Sequence, residues 1–158
     1  MSSREPHLTE FEVEAEVQEF IAAIEDDSPV VGVVTGSEED RKAMRLAEVE
    51  LRDRRIRFEV RLLRVGENPD DVAAYARTAQ LRGLKVIIAG AADAPMLAGV
   101  IALHSRLPVI GVPLGASELG AVAAVLATVQ ASAGAPVACV ALGGARNAAI
   151  LAARILAV

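Results

Sequence analysis

Four carboxylates stand where this chain could perform chemistry, because each lies shortly after an apolar run that predicts a β-strand. They are Glu39, Asp40, Glu67 and Asp93. Carboxylates crowded in a cleft raise one another's pKa and then serve as general acids or bases. Glu118 is more peripheral, and Arg64 and Arg146 are candidate counter-charges. The same carboxylates also suit the first turns of helices, where the dipole favours negative charge, so a purely structural role stays open.

Other catalytic residue types are sparse. The chain has two histidines, His7 and His104, and one cysteine, Cys139. His104 precedes a predicted strand, which puts it at the amino edge of the sheet, and His7 lies in the N-terminal segment. Cys139 stands among apolar residues of a strand pattern and is predicted to be a buried, inert thiol. This set does not form a metal site, so we predict no metal and no cofactor.

Short apolar runs alternate with helical patterns from Val30 onward, which is typical of βαβ units and a parallel sheet. Strands are predicted at Val30–Val34, Arg57–Leu63, Leu84–Ala89, Pro108–Val112 and Pro136–Leu142. Helices are predicted at Glu38–Arg54, from the Asn68 cap to Gly83, and over 93–105, 117–132 and 145–157. Right-handed crossovers then give an α/β, flavodoxin-like three-layer sandwich with a five-stranded parallel sheet.

Ligands of open α/β sheets bind beyond the carboxyl ends of the strands. Five loops meet at that edge: Thr35–Asp40, Arg64–Asn68, Gly90–Pro95, Pro113–Glu118 and Gly143–Asn147. The first and last loops offer glycines and helix N-terminal amides, which suit an anion. Neither a GxGxxG nor a Walker pattern is present, so tight turns explain these glycines equally well.

The composition excludes several classes of function. The 158 residues are 53% apolar and 23% charged, which is the size and balance of one compact domain. Aromatic residues make up 3% and the net charge is -5, which argue against a nucleic-acid partner. The uncharged stretch between Glu118 and Arg146 is interrupted by Ser132, Gly134 and Pro136, so no membrane span is predicted. The apolar excess favours an obligate homo-oligomer.

The N-terminal segment is predicted to form a separate amphipathic helix over residues 9–26. Thr9 and Glu12 make a capping box, and apolar residues recur on one side at helical spacing. We therefore divide the chain into an extension, residues 1–28, and an α/β domain, residues 29–158. The N-terminus lacks the apolar core of a signal peptide, and a single cysteine suits a reducing compartment, so a cytoplasmic location is expected.

An ordered series of segments resembles the PurE family, also called AIR carboxylases. The segments include Val33–Ser37 with Asp40, Gly83–Ala91, Leu107–Pro113, Gly134–Ala138 and Asn147–Leu156, and the match covers nearly all of residues 30–157. The resemblance implies a flavodoxin-like subunit, usually assembled as an octamer, whose small-molecule site lies at subunit junctions near the first three loops. Bacterial members of the family are carboxyaminoimidazole ribonucleotide mutases of purine synthesis.

The first two loops match that family pattern only in part. The family keeps a proton-transferring His and a phosphate-facing Arg in the second loop, where this chain has Gly66 and Glu67. In the first loop Ser37 and Asp40 match, whereas Glu39 replaces a hydroxyl that contacts the ligand. The resemblance therefore implies a site in which Ser37 and Asp40 match the family, whereas the reactive and ligand-contacting side chains differ from it.

The third loop is also altered. Gly90 and Ala91 match the family, but Asp93 stands in a former glycine pair and Met96 replaces a His. The resemblance places the ligand-binding residues at Gly36, Ser37, Glu39, Asp40, Arg64, Gly66, Glu67, Gly90, Ala91 and Asp93. No catalytic residue is assigned.

These departures predict a change of function. Loss of a general acid or base typically costs about 10²–10⁴-fold in rate. An Arg-to-Glu exchange at a phosphate contact turns attraction into repulsion. We therefore predict a family member with a degenerate mutase site, a non-catalytic binding or scaffold paralogue. An enzyme that adds, removes or shifts a carboxylate on a different, less anionic small ring is the alternative. Genuine mutase activity by a rearranged site is the third hypothesis.

Overall fold

The computed structural model describes residues 28–92, 96–115 and 117–158, together with Glu14, Val17 and Gln18. The strands are β1 (Val31–Thr35), β2 (Phe58–Leu62), β3 (Val86–Ala91), β4 (Val109–Pro113) and β5 (Ala138–Cys139). The helices are α1 (Glu38–Asp53), α2 (Pro69–Thr78), α3 (Leu97–His104), α4 (Glu118–Val129) and α5 (Ala145–Leu156), with a 3₁₀ turn at Gln80–Arg82. Most of the helix predicted over residues 9–26 lies outside the described residues, and so does Asp93.

The five strands form one parallel sheet in the order β2-β1-β3-β4-β5. Every residue of β1, β3 and β4 is buried, as their continuous apolar sequences require of strands covered on both faces. The strand order places β1 and β3 side by side, so the loops that follow them meet at the carboxyl edge. The predicted flavodoxin-like arrangement is confirmed.

Two apolar layers hold the helices on the sheet. On one face, Met44 of α1 and Ala149 of α5 pack in the same buried cluster as Val33. On the other face, Val72 of α2 and Ile101 of α3 belong to a second buried cluster. The helix α4 packs against β4 and β5. The sheet therefore lies between two helical layers, as a three-layer sandwich does.

The last strand is shorter than predicted. The sequence predicts a strand over Pro136–Leu142, but only Ala138–Cys139 pairs with β4. Pro136 has no N–H group to donate to the ladder, so regular pairing starts after it. The backbone N–H of Val140 still donates to the carbonyl of Gly111 at 3.1 Å. The segment therefore follows β4 toward the loops even though its regular strand is short.

The helix predicted to run from Asn68 to Gly83 is broken. Helix α2 ends at Thr78, whose hydroxyl donates to the carbonyl of Ala74 at 2.9 Å, and a 3₁₀ turn follows. Such side-chain bonds compete with the regular helix ladder. Gly83 then ends the turn in the left-handed region, with φ of 89°. The predicted stop at Gly83 is correct, and the continuity of the helix is not.

A half-buried polar cluster joins the edge strand β2 to the segment that follows α2. Glu59 accepts a hydrogen bond from Arg82 Nη1 at 2.7 Å, and the Arg82 guanidinium lies 4.6 Å from the centre of the Tyr75 ring. Burial, with the Glu59 carboxylate nearby, raises the pKa of the Tyr75 hydroxyl well above its usual range. Burial also pushes the pKa of Glu59 upward, but the hydrogen bond from Arg82, the nearby Tyr75 hydroxyl and the positive charge of Arg82 outweigh it and hold that pKa below its usual value. The cluster fixes α2 against the sheet.

Gly32 makes room for this cluster, and its replacement gives a test of the packing. A Cβ atom on Gly32 would collide with the Tyr75 hydroxyl. We expect Gly32→Ala to lower the free energy of unfolding by about 1–3 kcal/mol, the usual cost of overpacking, as measured by urea denaturation. The loss should shrink in a Tyr75→Phe background, which removes the colliding oxygen. Gly99→Ala is the matched control, because a Cβ there meets no atom within 4 Å. An equal loss in both backgrounds would contradict this account.

Candidate functional site

The first loop is set by a helix cap. Ser37 has extended backbone angles, and its Oγ accepts a hydrogen bond from the Asp40 backbone N–H at 3.0 Å. This bond satisfies one of the free amides at the start of α1. Gly36 and Ser37 thus connect the end of β1 directly to α1, and the first helical turn carries Glu38, Glu39 and Asp40.

Asp40 links the first loop to the third. Its side chain is only 5% exposed, and Oδ1 accepts a hydrogen bond from the Ala92 backbone N–H at 3.0 Å. Gly90 lies two residues before Ala92 and packs closely on Met44. A Cβ atom on Gly90 would overlap the Met44 sulfur. A buried carboxylate needs such a partner, because an unpaired one would be strongly destabilising. Asp40 therefore holds the end of β3 against the start of α1.

The second loop is a compact backbone turn. The Arg64 carbonyl accepts hydrogen bonds from the N–H groups of Glu67 and Asn68 at 3.2 and 2.9 Å. Asn68 occupies the cap position of α2, as predicted, but its side chain makes no capping bond and donates instead to Asp71. Pro69 begins the helix with a fixed φ. The backbone, rather than a side-chain cap, shapes this turn.

Gly66 lies at the open tip of the turn. A Cβ atom built on Gly66 would meet nothing within 4 Å, and its φ lies outside the left-handed region. The backbone at this position therefore accepts a side chain without strain. Packing does not explain the absence of a larger residue here.

Arg64 and Glu67 form an ion pair across the turn. Arg64 Nη1 lies 3.1 Å from Glu67 Oε2 and 3.3 Å from Oε1. The Arg64 side chain is 46% exposed and that of Glu67 is 69% exposed. Exposed pairs of this kind contribute at most about 1 kcal/mol. The pair is thus present but weakly held.

The first and second loops together line a cavity of about 260 Å³, which we call the first cavity. Its lining residues are Gly36, Ser37, Asp40, Arg64, Val65, Gly66 and Glu67. Six of the ten residues predicted for the site are thus brought together. The resemblance implied these residues, and the parallel sheet brings the loops that carry them close together.

A second cavity, of about 470 Å³, lies on the other side of Asp40. It is lined by Glu39, Asp40, Ala43, Ala92, Leu114, Gly115, Leu142 and Gly143. Glu39 therefore faces this cavity and not the first one. Gly90 and Ala91 are buried strand residues, and neither is among the residues that line the two cavities. The residue predictions did not include Leu114 and Leu142, although Leu114 lies in a loop predicted at this edge and Leu142 at the predicted end of the last strand.

Two residues, Arg146 and Cys139, differ from their predicted roles. Arg146 was a candidate counter-charge for the site carboxylates, but its Nε lies 3.4 Å from Glu50 Oε2, on the contact between α1 and α5. Cys139 is half-buried rather than buried; its thiol donates to the next carbonyl at 3.3 Å, and burial raises its pKa. His104 ends α3 and is exposed, as expected of a residue outside the site. The structure describes no side-chain position for Glu118.

The described ranges contain neither a candidate metal centre nor a candidate membrane span. No group of three or more His, Cys, Asp or Glu residues there could hold a metal ion. No described helix is both long and apolar enough to cross a bilayer.

The first cavity offers one guanidinium, two carboxylates and a hydroxyl among its described lining residues. The hydroxyl of Ser37 accepts the cap bond, and Asp40 accepts the Ala92 bond, so both are engaged by the backbone. No imidazole or thiol lines the cavity in this part of the chain. The arrangement suits binding through charge and hydrogen bonds better than proton transfer by an imidazole.

Comparison with known proteins identifies the family of this chain. The AIR carboxylase family model matches residues 30–158. A phosphoribosylaminoimidazole carboxylase of Schizosaccharomyces pombe is 46% identical over 131 residues, which are 83% of this chain and 24% of that protein. The chain thus spans about a quarter of the length of that relative. An N5-carboxyaminoimidazole ribonucleotide mutase of Saccharolobus solfataricus is 44% identical over 130 residues, 82% of each chain.

Solved structures support the fold. The crystal structure of a PurE2 variant from Treponema denticola superposes with a TM-score of 0.72 at 24% identity, covering 82% of this chain and 80% of that one. The family model matches the whole α/β region, and the Saccharolobus solfataricus mutase is matched over most of its length. Together these matches decide the family. This chain belongs to the AIR carboxylase family.

Proposed function

We propose that this chain binds a small heterocyclic ligand at the first cavity and does not perform efficient carboxyaminoimidazole ribonucleotide mutation. It would then act as a non-catalytic binding or scaffold member of a family linked to purine biosynthesis. The observation that carries the proposal is the second loop, where Gly66 and the Arg64–Glu67 pair line the cavity. The family pattern calls for a proton-transferring His and a phosphate-facing Arg at positions 66 and 67.

The energetic cost of lacking the His and of replacing the Arg by Glu67 supports a non-catalytic role. Absence of a general acid or base costs about 10²–10⁴-fold in rate. A carboxylate about 4 Å from a ligand phosphate repels it by about 4 kcal/mol per charge at a surface-like dielectric. Because Glu67 is mostly exposed, solvent screening reduces that value toward about 1 kcal/mol. Even this lower figure weakens phosphate binding about fivefold.

The rate prediction follows directly. We expect purified full-length chain to turn over N5-carboxyaminoimidazole ribonucleotide at least about 100-fold more slowly than the Saccharolobus solfataricus mutase under the same conditions. A spectrophotometric assay of both proteins at matched subunit concentration measures this. Equal turnover by the two proteins would reject the proposal.

Restoring the two family residues should recover part of the function, because Gly66 has open space around it. We expect Gly66→His with Glu67→Arg to bind aminoimidazole ribonucleotide at least about tenfold more tightly than wild type, as measured by calorimetry, since repulsion is replaced by attraction. The control is Gly66→Ala with Glu67→Gln, which removes the negative charge without adding a cation or an imidazole. If the control gains as much as the restored variant, the added groups are not the cause.

A second candidate function is carboxylate chemistry on a different small ring. It is favoured by the second cavity, which is larger, has an apolar wall at Leu114 and Leu142, and contains Glu39 and Asp40. Small-molecule sites are commonly apolar pockets with a few polar groups. Release of carbon dioxide from a set of heterocyclic carboxylates would reveal such an activity. Its persistence in Asp40→Asn would remove Asp40 from the mechanism, because the amide keeps the shape of the side chain and loses its charge.

We further propose a homo-oligomer, with the octamer implied by the family resemblance as the expected form. Helix α4 presents an exposed apolar stripe at helical spacing, formed by Leu119, Val122, Leu126 and Val129. The described residues place nothing over this stripe. Large subunit interfaces are built from such apolar faces.

Light scattering tests the oligomer. We expect wild type to have a mass several times the 16.5 kDa of one chain, and Val122→Glu with Leu126→Glu to lower it. The charges would be buried without partners if the stripe were an interface. Leu81→Glu is the control, because Leu81 is 87% exposed and lies outside the stripe. A monomeric wild type, or an unchanged mass in the double variant, would contradict the interface.

A further inference from the structure

We propose that Arg64 is the oxyanion-binding residue of the first cavity, and that Glu67 is an internal carboxylate which a bound ligand displaces from it. This inference rests on the proposed ligand-binding role of the cavity. The ligand group is one that presents two oxygens along an edge. A carboxylate on a small heterocycle has this edge, and so does a phosphate.

The geometry of the ion pair leaves room for a better partner. Both Glu67 oxygens approach the same nitrogen, Arg64 Nη1, at 3.1 and 3.3 Å. Strong Arg–carboxylate pairs instead join two nitrogens to two oxygens through parallel bonds. Glu67 does not form that fork with Arg64. A free ligand has no chain connection that restricts its approach, so it can align with two guanidinium nitrogens at once.

The Arg64–Glu67 ion pair is also weak, so breaking it requires little free energy. With side chains 46% and 69% exposed, both charges are already largely hydrated. Exposed pairs of this kind shift an equilibrium by about fivefold at most. A ligand that makes the forked contact therefore has little to overcome in replacing Glu67.

The loop does not depend on the pair for its shape. The Arg64 carbonyl holds the turn through the backbone N–H groups of Glu67 and Asn68. Gly66, between the paired residues, has no neighbour within 4 Å of its Cβ position. The Glu67 side chain can therefore turn away from Arg64 while the backbone keeps its conformation.

Among the described residues that line the first cavity, Arg64 carries the single positive charge. Asp40 is buried and negatively charged and accepts the Ala92 bond, so it does not attract an anion. Ser37 accepts the cap bond from Asp40 and can still donate its hydroxyl hydrogen, but it carries no charge. Arg146 is engaged with Glu50 on another surface. A negatively charged ligand group in this cavity would therefore be held by Arg64.

Calorimetry on the full-length protein tests the proposal with two probes, imidazole-4-carboxylate and inorganic phosphate. We expect Glu67→Gln to bind at least one probe about fivefold more tightly than wild type, because the competitor loses its charge. Arg64→Gln should weaken the same probe at least about tenfold, and Arg64→Lys should fall between, since Lys keeps the charge but loses the fork. Whichever probe responds identifies the oxyanion.

The double variant Arg64→Gln with Glu67→Gln separates the two roles. If Glu67 acts only through Arg64, the double variant should bind as weakly as Arg64→Gln alone. Glu48→Gln and Arg77→Gln are matched controls, because both lie outside the two cavities and should bind like wild type. Circular dichroism of each variant shows that folding is unchanged.

Two results would overturn the proposal. One is weaker binding in Glu67→Gln, which would make Glu67 a direct ligand contact. The other is no response of either probe to Glu67→Gln or to Arg64→Gln. Both readouts are affinities and do not involve turnover. Normal mutase turnover would therefore reject the proposed function, whereas the proposal for Arg64 would still be decided by the measured affinities.

Discussion

The hydrogen bond between the buried Asp40 carboxylate and the Ala92 backbone N–H fixes the edge at which the loops of this chain meet. The bond crosses from the first turn of α1 to the end of β3, and the Ser37 cap holds the same turn from the other side. Since Asp40 lies in the walls of both cavities, their relative position depends on this bond. Loss of the bond would leave a buried charge without a partner, which folded proteins seldom tolerate.

The second loop contributes charge to this fixed edge without contributing to its rigidity. Its backbone turn is independent of the side chains, and its ion pair is exposed. The resemblance to the family implies an Arg at position 67, where this chain has Glu67, and the cation of this loop is Arg64. A change of ligand preference could therefore arise within a loop whose backbone conformation need not change. In this region the exposed side-chain ion pair affects ligand affinity, whereas backbone hydrogen bonds determine the fold of the loop.

The sequence predicts the fold well because parallel strands covered on both faces must be continuous apolar runs, and β1, β3 and β4 are such runs. It predicts that the loops meet at one edge because the carboxyl ends of parallel strands lie together, and the family resemblance points to the residues of the first two loops. It could not separate Glu39 from Asp40, since adjacent helical residues point about 100° apart and face different cavities. Nor could it pair Arg146 with Glu50, because that contact depends on how α1 and α5 pack.

The two outer strands of the sheet have a consequence for how copies of this chain can associate. A long, uncharged outer strand invites the backbone of another molecule to extend the sheet, which leads to aggregation. Here β5 has two residues, and β2 carries Glu59 and Arg61, with the Arg61 side chain 55% exposed. Neither outer strand therefore presents a long, uncharged edge on which a strand of another molecule could pair. Ordered assembly through helical surfaces is thereby favoured over growth into fibrils.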